Sequence, residues 1–310
     1  MAAATPSPPP SSSYGYAISL GSCVAGIPVK LHYSYFLLLL LEFASSLMNY
    51  RTGNESYPMY ILLIVVLYGP ILLLTILVHE FGHALTTKRL GGTVDGIVLW
   101  PLGGFALCGP VADDDNALVG DLKVALMGPT THLPMSLFWW ATYAVTRGED
   151  RGLWPTNMIY LNVLSTPAGF FEILSAQALY MNIILFCFNL LIPAYPLDGG
   201  RVYAALLLLV FKLKSIAAAR VTAITAMFIS TGMIVCAIIT WFVGTYAGGL
   251  YLGLVGVFVF YESHELWAAA KRDGLGNHSI FGRKCYQDRV AGNNDSETHV
   301  PAQNDDAVMT

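Results

Sequence analysis

Apolar residues in this chain gather into runs close to the length that crosses a bilayer as a helix, about 20 residues. Six such segments read from the pattern: Leu31–Met48, Pro58–Arg89, Ala117–Thr146, Glu172–Ile192, Ser215–Val243 and Leu250–Ala270. After the fourth, Pro193 and Pro196 interrupt the chain before a helical pattern resumes from Gly200 to Phe211. The second run, 32 residues, would reach about 48 Å as a helix. It must tilt, protrude or bend, and Gly69-Pro70 is the natural place for a kink. Residues 91–116 are short apolar stretches broken by Gly and Pro, the pattern of a hairpin or re-entrant loop. Residues 14–30 suit a short strand or an interfacial segment. The expectation is an all-α polytopic membrane protein with about six transmembrane helices and a Gly-rich hairpin or re-entrant loop after the second. A Pro/Ser-rich tail (1–13) and a polar tail (271–310) flank one membrane domain (14–270), and both tails are expected to be disordered.

Composition supports that class. The chain is 55% apolar and 12% charged, against roughly 25% charged in ordinary soluble domains. Its net charge of −4 points to no particular partner. The longest basic clusters are pairs such as Lys88-Arg89, so a nucleic-acid partner is not expected. Five solitary cysteines, with no Cys-x-x-Cys spacing, suggest neither a disulfide framework nor a thiolate metal site. With a cytosolic amino terminus, only Arg51, Arg147 and Arg151 of the 16 basic residues fall on the far side. The positive-inside rule therefore puts both termini in the cytosol. The acceptor tripeptide at Asn54 then lies on the opposite side, and those at Asn277 and Asn294 in the cytosol.

One polar constellation stands out against this background. No charged residue occurs between Pro58 and Val78, and then His79-Glu80-Phe-Gly-His83 follows. Histidines four apart share one helix face, a turn from each other. Two imidazoles so placed can share Zn²⁺, and Glu80 is positioned to take a proton from a water the metal activates. Ionisable groups at membrane depth are expensive and are functional candidates by default. Catalytic zinc normally takes three protein ligands. Asp198, the only acid between Glu172 and Glu262, supplies a third candidate. Prolines break the helix before it, and Gly199-Gly200 let backbone approach closely. By helical rise His79 lies about 15 Å inward from Arg89, and Asp198 about 20 Å inward from Lys212. The two depths agree roughly, in the cytosolic half of the bilayer.

His79-Glu-Phe-Gly-His83 followed by Asn189…Pro193…Pro196-Leu-Asp198-Gly-Gly resembles the site-2 protease family of intramembrane zinc metalloproteases, peptidase family M50. Gly26 to Ser34 is similar to the family's opening before the first span. Leu99 to Phe105 resembles its Gly-Gly loop. Met127-Gly-Pro-Thr-Thr-His132 resembles its Gly-Pro-x-x-Asn motif, with His132 where Asn is usual. The likeness covers about residues 16–270 and fits the compact branch without a PDZ insert. It implies one Zn²⁺ held by His79, His83 and Asp198, with Glu80 as general base. It also implies Asn189 as a stabiliser of the oxyanion and the loop at Gly103 and Gly104 as a strand edge for an unwound substrate. The implied substrate is the transmembrane segment of a single-span membrane protein in the same lipid bilayer. One rival is a catalytically inactive relative that binds client membrane helices. Another is a transporter, since broken helices also build ion sites; no inverted repeat is evident, and retention of Glu80 favours hydrolysis. His132 reads as structural or as a group behind a ligand.

Overall fold

The computed structural model describes residues 17–48, 57–101, 103–111, 117–155, 164, 166–243, 246–272, 274–278, 280–283 and 286. The amino-terminal tail and the tripeptides at Asn54 and Asn294 lie outside these residues. Helices dominate. Three are long and apolar enough to cross a membrane: Pro58–Arg89, Pro167–Leu191 and Ser215–Val243. The all-α expectation needs correction, because four strands form one sheet in the order β1-β2-β3-β4. Strand β1 (Ala17–Val24) pairs antiparallel with β2 (Ile27–His32) through a turn at Ala25 and Gly26, both with positive φ. Strand β2 pairs parallel with β3 (Val94–Trp100), and β3 antiparallel with β4 (Gly103–Cys108). Strand β1 falls within residues 14–30, read as a short strand or interfacial segment, and β3 and β4 within 91–116, read as a hairpin or re-entrant loop; their joining into one sheet is what the local pattern does not report.

The sheet exists because a helix covers it. Ile27, Val29 and Leu31 of β2 and Ile97 and Leu99 of β3 pack in one core with Tyr35 of α1 (Ser34–Met48) and with Leu72, Ile76, Phe81 and Ala84 of α3 (Leu72–Arg89). On α3 the buried positions include 72, 75, 76, 79, 80, 83, 84 and 87, a stripe at helical spacing. The motif's polar residues lie on the packed face. Helix α2 (Tyr57–Val66) leads into α3 through a π-helical turn, Leu67–Ile71, at the expected kink. Pro70 has no N–H to give, and the Tyr35 hydroxyl donates to the carbonyls of Tyr68 at 2.8 Å and Gly69 at 3.1 Å.

The third expected span is two helices, α4 (Ala117–Thr130) and α5 (His132–Thr146), broken at Thr131. Pro129 and Pro134 on either side weaken the ladder there. Helix α6 (Pro167–Leu191) starts at a Thr166 cap, whose hydroxyl accepts from the Gly169 amide. Residues 192–197 lead to α7 (Asp198–Leu209), followed by α8 (Ser215–Val243) and α9 (Tyr246–Lys271). The chain then turns back. Leu275, Ile280, Phe281 and Tyr286 are buried against Ala204, Ala205 and Leu208 of α7 and Ala218 and Ala219 of α8. Packing therefore extends beyond residue 271, where a disordered tail was expected.

Candidate metal centre

Helix α3 carries His79, Glu80 and His83 inward, and the break before α7 puts Asp198 at that helix's first turn. The four are 7, 6, 5 and 8% exposed. His79 Nε2 lies 3.1 Å from His83 Nε2 and 3.1 Å from Asp198 Oδ2, and His83 Nε2 is 3.2 Å from the same oxygen. Residues 119 apart in sequence thus form a near-equilateral triangle of ligand atoms.

The protons on this triangle follow from its neighbours. His83 Nδ1 donates to the Val124 carbonyl at 2.7 Å, which leaves its Nε2 as a lone pair. Two imidazole lone pairs and a carboxylate oxygen converging in a buried site repel one another unless a cation lies among them. Tetrahedral bonds of 2.0–2.1 Å put ligand atoms about 3.3 Å apart, close to the spacing here. Two nitrogens and one oxygen suit Zn²⁺. Gly128 of α4 completes the cradle: a Cβ there would sit 2.2 Å from His83 Nε2 and 2.9 Å from His79 Nε2. Gly82, inside the motif, lets α3 approach α4, since a Cβ would meet the Met127 carbonyl at 2.6 Å.

The other predicted residues fall into place unevenly. Glu80 Oε2 accepts from the Ala106 amide of β4 at 2.8 Å. A Cβ on Gly104 would meet Glu80 Cγ at 2.5 Å, so that glycine lets the strand pass over the acid. Gly103 has φ +146 and open space around it. Asn189, half-buried near the end of α6, makes no hydrogen bond among the described residues with any of the four groups. Asn182, two helical turns earlier, is buried and joins the network instead, accepting at Oδ1 from His132 Nδ1 at 3.1 Å. Arg201 also escaped the sequence reading. Its guanidinium lies 3.7 Å from Asp198 Oδ1, the carboxylate oxygen turned away from the histidines, and 3.4 Å from Asp121. The i,i+3 spacing of Asp198 and Arg201 was its available signal. Asp121, itself buried, also pairs with Arg283 and accepts from the Tyr286 hydroxyl at 2.8 Å. The carboxy-terminal turn is thereby tied to the helix that carries Asp198.

The model of peptidase family M50 matches residues 69–238, from the turn before α3 into α8. The chain belongs to peptidase family M50. It is 31% identical over 254 residues to a putative zinc metalloprotease, Rip3, of Mycobacterium tuberculosis, a match over 80% of this chain and 58% of that one. A zinc metalloprotease of Methanocaldococcus jannaschii is 27% identical over 186 residues, 59% of this chain and 44% of that one. The chain spans about half the length of the curated relatives it matches. The solved site-2 protease from M. jannaschii aligns with a TM-score of 0.50 at 23% identity, covering 81% of this chain and 95% of that one. The M50 chain shares that protein's fold.

Proposed function

We propose that this M50 chain is a zinc-dependent intramembrane endopeptidase that cleaves transmembrane segments of single-span membrane proteins. The observation that carries the reading is the buried triangle of His79, His83 and Asp198 with Glu80 beside it, held against strand β4. His79 Nε2, His83 Nε2 and Asp198 Oδ2 would hold one Zn²⁺. When bound, the metal supplies a Lewis acid that polarises a peptide carbonyl and makes water more acidic. The rest is the chain's work. Glu80 takes the proton from the attacking water and returns it to the leaving amine. The Ala106 amide fixes the orientation of its carboxylate. Burial keeps bulk water from competing. Asn189, close to the break before α7, is assigned to the developing oxyanion. Strand β4 is an edge of the sheet, and an unwound substrate can add to such an edge through main-chain hydrogen bonds. Gly103 and Gly104 lie on that edge.

In the membrane frame we propose, α1, the α4–α5 pair and α9 join the three long helices as six spans, with both termini cytosolic. Lys88 and Arg89 then close α3 on the cytosolic side. Zinc analysis of the purified chain in detergent, with cleavage of a model single-span substrate, tests the chemistry. One zinc per chain is expected, with cleavage abolished by a strong chelator and restored by zinc. A client-binding relative without catalysis would hold the substrate and leave it whole. Glycan mapping tests the frame: modification at Asn277 but not at Asn54 would invert it.

A further inference from the structure

We infer that His132 and Asn182 are positioning residues that set the protonation pattern of His79 through a relay across three helices; this rests on the zinc reading above. The chain of hydrogen bonds has one consistent direction. Asn182 Nδ2 donates to the Ala178 carbonyl at 2.9 Å, which turns its amide oxygen the other way. That oxygen faces His132 Nδ1 at 3.1 Å, and an amide oxygen only accepts, so His132 carries its proton on Nδ1. The neutral ring then presents a lone pair at Nε2, 3.1 Å from His79 Nδ1. His79 therefore carries its proton on Nδ1 and turns the lone pair of Nε2 into the ligand triangle. His83 reaches the same state through a backbone carbonyl. Among the described residues His79 Nδ1 meets no such carbonyl and uses side chains of α5 and α6 instead. The helix break at Thr131 puts His132 at the start of α5, where it meets α3. Both relay residues are buried, at 1% and 0% exposure. Partners behind a ligand histidine fix its ring and raise its basicity, and losing one commonly weakens metal binding about 10–100-fold.

The test measures zinc affinity of the full chain in detergent micelles by competition with a chromogenic chelator. Asn182→Leu, which keeps size and removes the acceptor, is expected to weaken zinc binding about 10–100-fold. Asn182→Asp keeps an acceptor for His132 Nδ1 while exchanging the donor to Ala178 for a second carboxylate oxygen, whose negative charge also favours a nearby cation, so it is expected to keep most of the affinity. His132→Phe keeps a ring and breaks the relay. In that background Asn182→Leu is expected to change zinc affinity by no more than about twofold, because the link through which it acts is already gone. Equal losses for Asn182→Leu and Asn182→Asp would overturn the relay, as would losses that add in the double variant. If Asn182→Leu folds poorly, Asn182→Asp decides alone: a folded variant that has lost zinc refutes the relay. A wild-type chain that binds zinc and cleaves while the cycle is additive removes the relay and leaves the protease. A wild-type chain that takes up no zinc removes both.

Discussion

Gly128→Ala puts one methyl group into the metal cradle. In an ordinary helix interior this change stabilises by about 0.5–1 kcal/mol, because glycine gives up more freedom on folding. Here the new Cβ would lie 2.2 Å from His83 Nε2 and 2.9 Å from His79 Nε2. The first distance is about 1.3 Å short of normal contact. Relief requires His83 to swing away, which breaks its bond to the Val124 carbonyl at a cost of about 1 kcal/mol, or α3 and α4 to separate at the Gly82 crossing. Metal distances tolerate only about 0.2 Å, so either escape removes the ligand geometry. Displacements of about 1 Å near reacting groups cost about 100-fold in rate. The expected result is a folded chain with zinc content well below one and cleavage down at least about 100-fold. Gly232→Ala is the control: its Cβ meets nothing within 4 Å, so zinc and activity should be unchanged. Elemental analysis, thermal melts and a cleavage assay read all three quantities. One zinc per chain with wild-type cleavage in Gly128→Ala would refute the cradle.

Gly104→Ala, whose Cβ would press on Glu80 Cγ at 2.5 Å, should keep zinc and lose cleavage, which elemental analysis and peptide mapping will separate. Asp121→Asn removes the charge that Arg201 and Arg283 share; breaking a buried ion pair of this kind costs about 3–5 kcal/mol, and the melting temperature should fall accordingly. The carboxy-terminal turn should release in acid. Burial pushes His278 down to about 4, and its Nδ1 accepts from the Ile280 and Phe281 amides at 3.3 Å. Because the folded value lies below the free value of about 6.5, docking is complete above that pH and is lost as pH falls through about 4. Limited proteolysis near residue 286 across this range reads the loss, and flat protection down to pH 3.5 would contradict it.

Much of the site was legible because membrane burial makes polar residues conspicuous. His79, Glu80 and His83 end a run without charge, and Asp198 stands alone between distant acids. Their convergence depends on the break before α7, which prolines announce. The sheet was harder to read. Its strands are short, β3 and β4 contain glycines, and β2 pairs with β3 across 68 residues, as Val29 with Ile97, a distance no local pattern reports. Asn182 and Arg201 were missed for a different reason. Asn182 gains its role from His132 on another helix, and Arg201 joins Asp198 on its own helix to Asp121 on α4. The docked turn after α9 was missed because its composition is polar, with only scattered apolar residues, Leu275, Ile280, Phe281 and Tyr286, doing the burying.

The most direct measurement compares wild type and Glu80→Gln, each assayed for bound zinc and for cleavage of the same single-span substrate in bilayers. Glu80 touches the Ala106 amide and is not among the three ligand atoms, so both proteins should carry one zinc, and only wild type should cut within the membrane segment. A Glu80→Gln chain that cleaves as fast as wild type would contradict the proposed chemistry.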